Sequence, residues 1–284
     1  SLAEAAVKYK SSHEFGLLSD AVRSIRRARV EILSDQYGGA QISGLQTKHV
    51  QKDLSQFDGH AQRNQLKVWR HFAKFLVKEY GIIDPTDNIA KAAVAASDGH
   101  VPWSLSDIAK FRQAYAIGRP ERLALELLFW TGARVGDAVR LGRGNVTKDG
   151  WLSFRQGKTG GQVDIPFKRQ LPDFALPDAA DLQMLHASID AQSDKHLTFV
   201  CTQNGASRSH KAVGSWFANK ARAIGLEDRS AHGLRKSRAI RWAELGASEL
   251  QIGAWTGHAS ISEIIRYTRK FNRRAALDGG GLAK

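Results

Sequence analysis

The chain of 284 residues has one cysteine, one methionine and six prolines. A single thiol, Cys201, excludes an intramolecular disulfide and a cysteine-rich zinc module. Thr198-Phe199-Val200-Cys201 reads as a buried strand, which makes Cys201 core packing. No run of about 18 apolar residues occurs, so no membrane-spanning helix is indicated. The chain starts Ser1-Leu2-Ala3-Glu4, without the charged-then-apolar pattern of a secretory leader. No initiator Met precedes Ser1, which leaves room for a further N-terminal region. Apart from Gly279-Gly280-Gly281 there is no low-complexity tract, and no internal repeat.

Acidic residues are scarce relative to basic ones: 28 Asp+Glu against 42 Lys+Arg, a formal net charge of +14. The excess is uneven. Residues 207–284 hold 15 basic against 6 acidic residues, a net of +9. Residues 1–100 (14 against 11) and 101–206 (13 against 11) carry only +3 and +2. Such a field favours polyanions: nucleic acid, an anionic membrane surface or an acidic protein. A solvated basic surface that merely aids solubility is the plainer alternative. The length and the 42% hydrophobic content suffice for one large or two ordinary domains with a real core.

Apolar spacing predicts a helix over 17–34, a short one capped by Thr47 and running to Phe57, and a long one over 61–80. In the last, Leu66, Trp69, Phe72, Ala73, Leu76 and Tyr80 form an apolar stripe. Arg63, Lys67, Arg70, Lys74 and Lys78 form a basic stripe beside it. That stripe is either a solvated face or a surface laid along phosphates. Asp84-Pro85-Thr86 breaks the chain, and a short helical piece is expected to about Ala96. Residues 97–102 read as a linker, with a domain boundary at about 99–103. Ser104-Leu105-Ser106-Asp107 resembles a capping box. Helices are expected at 104–116, 120–131 and 134–142. The alternating segments 151–155 and 162–166 pair as strands across Gly157–Gly161. Helices resume near 178–190, 208–224, 232–245, 248–256 and 260–270. The fold class is mainly α, with one small antiparallel β-sheet.

Six residues in this framework carry chemistry: Arg134, Lys158, His232, Arg235, His258 and Tyr267. A tyrosine phenol, with its pKa near ~10, is a poor nucleophile at neutral pH. It becomes useful when its proton is accepted or cations stabilise the oxyanion. Attack on a phosphodiester builds charge on the non-bridging oxygens, which two arginines can bind in bidentate fashion. A lysine on a hairpin loop can protonate a leaving oxygen. A histidine can bond the phosphate or move the tyrosine proton. Each residue alone also has an ordinary reading. Arg134 and Lys158 would be surface cations, His232 and Arg235 one face of a helix, His258 a helix-start histidine and Tyr267 a core tyrosine.

Taken together, Thr131-Gly132-Ala133-Arg134-Val135-Gly136-Asp137, Gly157-Lys158-Thr159, His232-Gly233-Leu234-Arg235 and Gly257-His258 with Tyr267 nine positions later resemble the tyrosine recombinases, the family of phage lambda integrase. The resemblance implies an N-terminal helical core-binding (SAM-like) domain over 1–100. It also implies a catalytic domain over 103–284, the two forming a C-shaped clamp on DNA. It implies a site-specific recombinase or integrase acting through a covalent 3′-phosphotyrosine at Tyr267. Arg134 and Arg235 would stabilise the transition state and His258 would bond the phosphate. His232 would move the tyrosine proton, and Lys158 would protonate the leaving 5′-oxygen. No cofactor and no metal would be needed, because the intermediate conserves the bond energy. The partners implied are double-stranded DNA and a homotetramer on two DNA sites, with a monomer free in solution and no membrane. The location implied is cytoplasmic, on the nucleoid of a prokaryote.

Two positions depart from the family pattern. Asp137 stands where Glu is usual, with the expected task of orienting catalytic groups. Lys236 stands where His is common. Lys236, with Arg63, Lys67, Arg70 and Lys74, is a candidate for DNA contact. The segment Phe271 to Leu277 is expected to dock on a neighbouring protomer. A type IB topoisomerase and a non-catalytic DNA-binding protein are the alternative functions.

Overall fold

A computed structural model describes residues 1–95, 99–192, 196–202, 204–258 and 260–265. The chain forms two compact units that divide between residues 97 and 98. Among the described residues, no helix is long and apolar enough to cross a membrane.

The first unit holds α1 (Leu2–Lys10), α2 (His13–Gly16), α3 (Asp20–Tyr37), α4 (Thr47–Leu54) and α5 (Gly59–Tyr80). α1 was not expected; Ser1 and Glu4 cap it reciprocally, and Leu2, Ala5, Ala6 and Tyr9 form its buried face. The core joins these residues to Val30 and Leu33 of α3, Val50 and Leu54 of α4, and Leu66, Trp69, Phe72 and Leu76 of α5. Thr47 is not the cap of α4. Gln46 takes that place, its backbone N–H donating to Nδ1 of His49 at 3.1 Å.

Among the described residues of the helical piece expected to run to about Ala96, 84–95, no helix forms. Oδ1 of Asp84 accepts from both the amide and the hydroxyl of Thr86 at 2.7 Å, which fixes a turn. Asn88 then adopts φ +59°. Beyond it, the carbonyls that a helix would use go to side chains of α5. Arg70 Nη2 donates to Ile89 O at 2.8 Å and Arg63 Nε to Ala92 O at 2.7 Å.

The second unit holds α6 (Leu105–Ala114), α7 (Pro120–Thr131), α8 (Val135–Ala138), β1 (Trp151–Arg155), β2 (Gln162–Pro166), α9 (Ala179–Asp190), α10 (His210–Arg222), α11 (Ala231–Glu244) and α12 (Glu249–Thr256). Residues 261–265 are also helical. α7 is buried from Glu121 to Thr131 and packs on α9 and α11. A helix buried on every side belongs at the centre of a domain, and here Arg122 and Glu126 pair with each other inside it. The strands are antiparallel with Trp151 opposite Pro166 and Arg155 opposite Gln162. Their buried residues, Leu152, Phe154, Val163 and Ile165, join the same core.

Two expectations fail here. The helix read over 134–142 stops at Ala138, because Arg140 and Leu141 bond three residues back and Gly142 N–H goes to Asn145 Oδ1. Residues 198–201 form no strand. Phe199 N–H bonds Leu141 O at 2.8 Å, and Cys201 makes one isolated bridge to Ser207. Cys201 is consequently half-exposed rather than core.

Candidate active site

Two helix ends frame the site. α7 closes on Trp130-Thr131-Gly132 and α12 on Trp255-Thr256-Gly257. In each, the threonine hydroxyl donates to the carbonyl four residues back, Leu127 O and Ile252 O, both at 2.6 Å. In each, the glycine is left-handed, at φ +57° and +69°. Glycine costs least in that conformation, which ends the helix sharply. The chain leaves the first turn toward Arg134 and the second directly into His258.

The last carbonyls of a helix lack partners within it. Here α11 and α12 supply donors to those of α7. Arg238 Nε bonds Phe129 O, Trp255 Nε1 bonds Trp130 O and Arg235 Nη1 bonds Gly132 O, all at 2.9 Å. Arg235 Nη1 donates as well to Thr256 O. One guanidinium, only 2% exposed, therefore ties the turn before Arg134 to the turn before His258. These two carbonyls orient it.

Arg134 is the residue before α8 and is half-buried. Its Nη1 is buried without a hydrogen-bond partner among the described residues. His258 donates or accepts through Nδ1 at Thr256 Oγ1, 2.6 Å away. Burial first, then the charges of Arg235 and Arg134, push the His258 imidazole down to about 3. His232 is pushed down to about 4 by burial, then by His100, Arg235, Lys236 and Arg134. The His100 ring sits 4.8 Å from that of His232 and bonds Ser230 Oγ, the cap of α11, at 2.9 Å. Gly233 lets Val101 approach; a Cβ there would lie 2.2 Å from Val101 O. These charges place Arg134, His232, Arg235 and His258 in one electrostatic neighbourhood. It is cationic and holds both imidazoles neutral.

Lys158 is exposed in the loop between β1 and β2. The root of that loop is fixed on both sides. Asp137, 3% exposed, accepts from Gly157 N–H at 2.9 Å and from Arg140 Nη2 at 2.6 Å through the same oxygen. Gln156, equally buried, accepts from Thr159 Oγ1 at 2.6 Å and donates to Thr256 O at 3.4 Å. The lysine loop thus hangs between the first turn after Arg134 and the turn before His258. Ile264 is buried in the core. Tyr267 and the segment Phe271 to Leu277 lie outside the described residues.

Sequence reasoning missed Thr131, Thr256 and Gln156. The signal for the threonines was the tripeptide Trp-Thr-Gly, present at 130–132 and again at 255–257. Nothing in the local pattern marks Gln156, whose task depends on contact across a hundred residues. The basic stripe of α5 divides. Arg63 and Arg70 hold the chain after the helix, and Lys78 pairs with Glu14, while Lys67 and Lys74 are exposed. Lys236 is half-buried, with Nζ beside Gly99. Among the described residues no group of three or more His, Cys, Asp or Glu is placed to hold a metal ion.

The fold matches solved structures over nearly its whole length. A lambda integrase dimer bound to a COC′ core site is 18% identical, with a TM-score of 0.77 over 93% of this chain and 94% of that one. A lambda integrase tetramer bound to a Holliday junction is 18% identical, with a TM-score of 0.74 over 92% and 78%. The Tn1549 transposon integrase, in complex with a circular intermediate DNA, is 14% identical, with a TM-score of 0.71 over 98% and 99%. No curated protein matches in sequence. The sequence pattern of the Phage integrase family matches residues 104–274, well over half of the chain, and the chain belongs to that family of tyrosine recombinases.

Proposed function

We propose that the chain cleaves and rejoins DNA strands at specific sites through a covalent 3′-phosphotyrosine. Tyr267 is the nucleophile. Its oxygen bonds to phosphorus while the bond to the 5′-oxygen breaks, and Lys158 gives that oxygen its proton. Arg134 and Arg235 bind the non-bridging oxygens, where negative charge develops. His258 bonds the phosphate and His232 takes the tyrosine proton, a task for which a neutral imidazole is suited. The 5′-hydroxyl of a partner strand then attacks the phosphotyrosine and reseals the backbone. The bond energy is kept throughout, so the chemistry needs neither a nucleotide cofactor nor a metal.

The observation that carries this reading is the pairing of helix ends by Arg235. It gathers two arginines and two neutral histidines where a buried Arg134 nitrogen still has bonding capacity. A phosphodiester completes that set, with an anion meeting cations and acceptors meeting donors. Residues up to about 100 serve as the core-binding domain and those from about 103 as the catalytic domain. By likeness to the lambda tetramer on a Holliday junction, four protomers act on two double-stranded sites. The workplace of such an enzyme is the cytoplasm, on the nucleoid.

A suicide DNA substrate, trapped on a denaturing gel, tests the reading. The unsubstituted chain forms a covalent adduct and Tyr267→Phe binds DNA but forms none. An adduct with Tyr267→Phe removes the assigned nucleophile.

A further inference from the structure

The hydroxyl of Thr256 lies 2.6 Å from Ile252 O and 2.6 Å from Nδ1 of His258. It has one proton. Ile252 O is a carbonyl and can only accept, so the hydroxyl proton lies on that side. Giving it to Nδ1 instead would leave two oxygens at 2.6 Å with no proton between them, which is repulsive. The proton in the contact with His258 therefore belongs to Nδ1, and Thr256 Oγ1 accepts it. The other Trp-Thr-Gly end is an internal control. Thr131 Oγ1 likewise donates to its fourth preceding carbonyl, Leu127 O, and accepts a proton from Ala133 N–H at 3.2 Å. A backbone amide can only donate, so the direction there is beyond doubt, and the geometry at Thr256 repeats it.

We propose that Thr256 is a positioning residue for strand cleavage: its hydroxyl holds His258 as the Nδ1–H tautomer, which makes Nε2 the nitrogen that meets the scissile phosphate. The bond made by one ring nitrogen sets the protonation of the other. Thr256 is 1% exposed, so its hydroxyl has no solvent to turn toward, and its carbonyl takes Arg235 Nη1 and Gln156 Nε2. The same residue thus fixes the guanidinium through its backbone and the imidazole through its side chain. Burial, and the charges of Arg235, Arg134 and His232, also bear on His258.

The role in cleavage rests on the function proposed above; the tautomer does not, and the two are measured separately. The probe is the full chain carrying ¹⁵N-histidine, without DNA, at about pH 8, where an unperturbed imidazole is neutral. Long-range proton–nitrogen spectra distinguish a protonated from an unprotonated ring nitrogen. The His258 signals, assigned by their loss in His258→Gln, show Nδ1 protonated in the unsubstituted chain and in Thr256→Ser. In Thr256→Val, which keeps the shape and the backbone bonds of the helix but loses the hydroxyl's bond to Ile252 O, the Nε2–H form appears. Single-turnover cleavage then falls at least about tenfold in Thr256→Val with unchanged DNA affinity, and Thr256→Ser restores it. An Nε2–H pattern in the unsubstituted chain, or an unchanged pattern in Thr256→Val, overturns the assignment. A tautomer change with no change in cleavage rate overturns the positioning role. If the tautomer behaves as stated but no covalent adduct ever forms, the proposed function fails and the tautomer assignment stands.

Discussion

The indole N–H of Trp255 donates to the backbone carbonyl of Trp130 at 2.9 Å, and the two rings meet edge to face at 5.1 Å. The contact joins the ends of α7 and α12, the helices that deliver Arg134 and His258. Trp255→Phe keeps an aromatic edge there and removes the donor. The Trp130 carbonyl, at the end of its helix, is then buried without that partner, at a cost of roughly 1–3 kcal/mol. Urea unfolding checks this. An unchanged midpoint would show that the bond contributes nothing.

Arg238, fully buried, lies between Asp178 and Asp181 at 2.9 and 2.8 Å, and its guanidinium carbon is 3.8 Å from the centre of the Phe129 ring. The pairs continue outward. Arg241 reaches Asp178, and Arg112 bridges Asp181 to Glu126. Arg238→Met fills the volume but leaves the buried Asp178 and the half-buried Asp181 short of a cation. Removing one partner of such a set costs on the order of 3–5 kcal/mol. Arg238→Lys should recover only part of it, because an ammonium cannot bond Phe129 O, Asp178 and Asp181 in one plane. Equal stability of the Met variant and the unsubstituted chain in urea would refute this account.

The parts of the fold legible in sequence were those set by local rules. Pro120 at the first position of α7 and the alternation in β1 and β2 place those elements, and the Ser104–Asp107 capping box places the start of α6, to within a residue. The failures came where distant groups took over the backbone. Arg63 and Arg70 captured the carbonyls after α5, and Leu141 captured Phe199. The site shows the same division. Its charged residues stand out by type and spacing. Asp137, Gln156 and Thr256 work through bonds that link α8, the β1–β2 loop and α12, and no window of sequence contains those three elements together.

Both site histidines make stability depend on pH in a definite direction. Their folded values, about 4 for His232 and about 3 for His258, lie below the ~6.5 of an unfolded chain. Between those limits the unfolded chain binds protons that the folded chain refuses, so stability falls as the pH drops below about 6.5. His71 and His186, also lowered chiefly by burial, act in the same sense. Asp178 acts in a different window. Burial opposes its charge, but Arg241 and Arg238 hold it below its usual range, so its contribution is lost only at more acid pH. Melting temperatures from about pH 8 to pH 5 should fall less steeply in a His232→Gln/His258→Gln double variant than in the unsubstituted chain. Parallel curves would contradict the stated burial of these two rings.

Asp137 is the tether of the lysine loop, because one oxygen holds both Gly157 N–H and Arg140. Asp137→Asn keeps an acceptor for the amide and loses only charge. Asp137→Ala loses both. Amide exchange at Gly157 should therefore quicken sharply in the Ala variant and little in the Asn variant. Single-turnover cleavage should follow the same order, with a loss of about 10–100-fold for Ala. Equal rates for Asn and Ala would mean that the carboxylate charge, not the tether, is what the reaction uses.

The divided stripe of α5 gives opposite expectations for neighbouring cations. Lys67 and Lys74 are exposed and point their charge into solvent, whereas Arg63 and Arg70 spend donors on Ala92 O and Ile89 O. A lysine that neutralises a phosphate releases counterions, and its loss reduces the slope of log affinity against log salt by about 0.9. Lys67→Ala and Lys74→Ala in the full chain should each flatten that slope by about this amount and leave thermal stability unchanged. Arg63→Ala and Arg70→Ala should do the reverse, lowering stability because two backbone carbonyls lose their donors. The salt series therefore separates two roles that charge counting merges. If neither lysine variant changes the slope, the stripe is a solvated face, and contact with DNA in this unit must come from other residues.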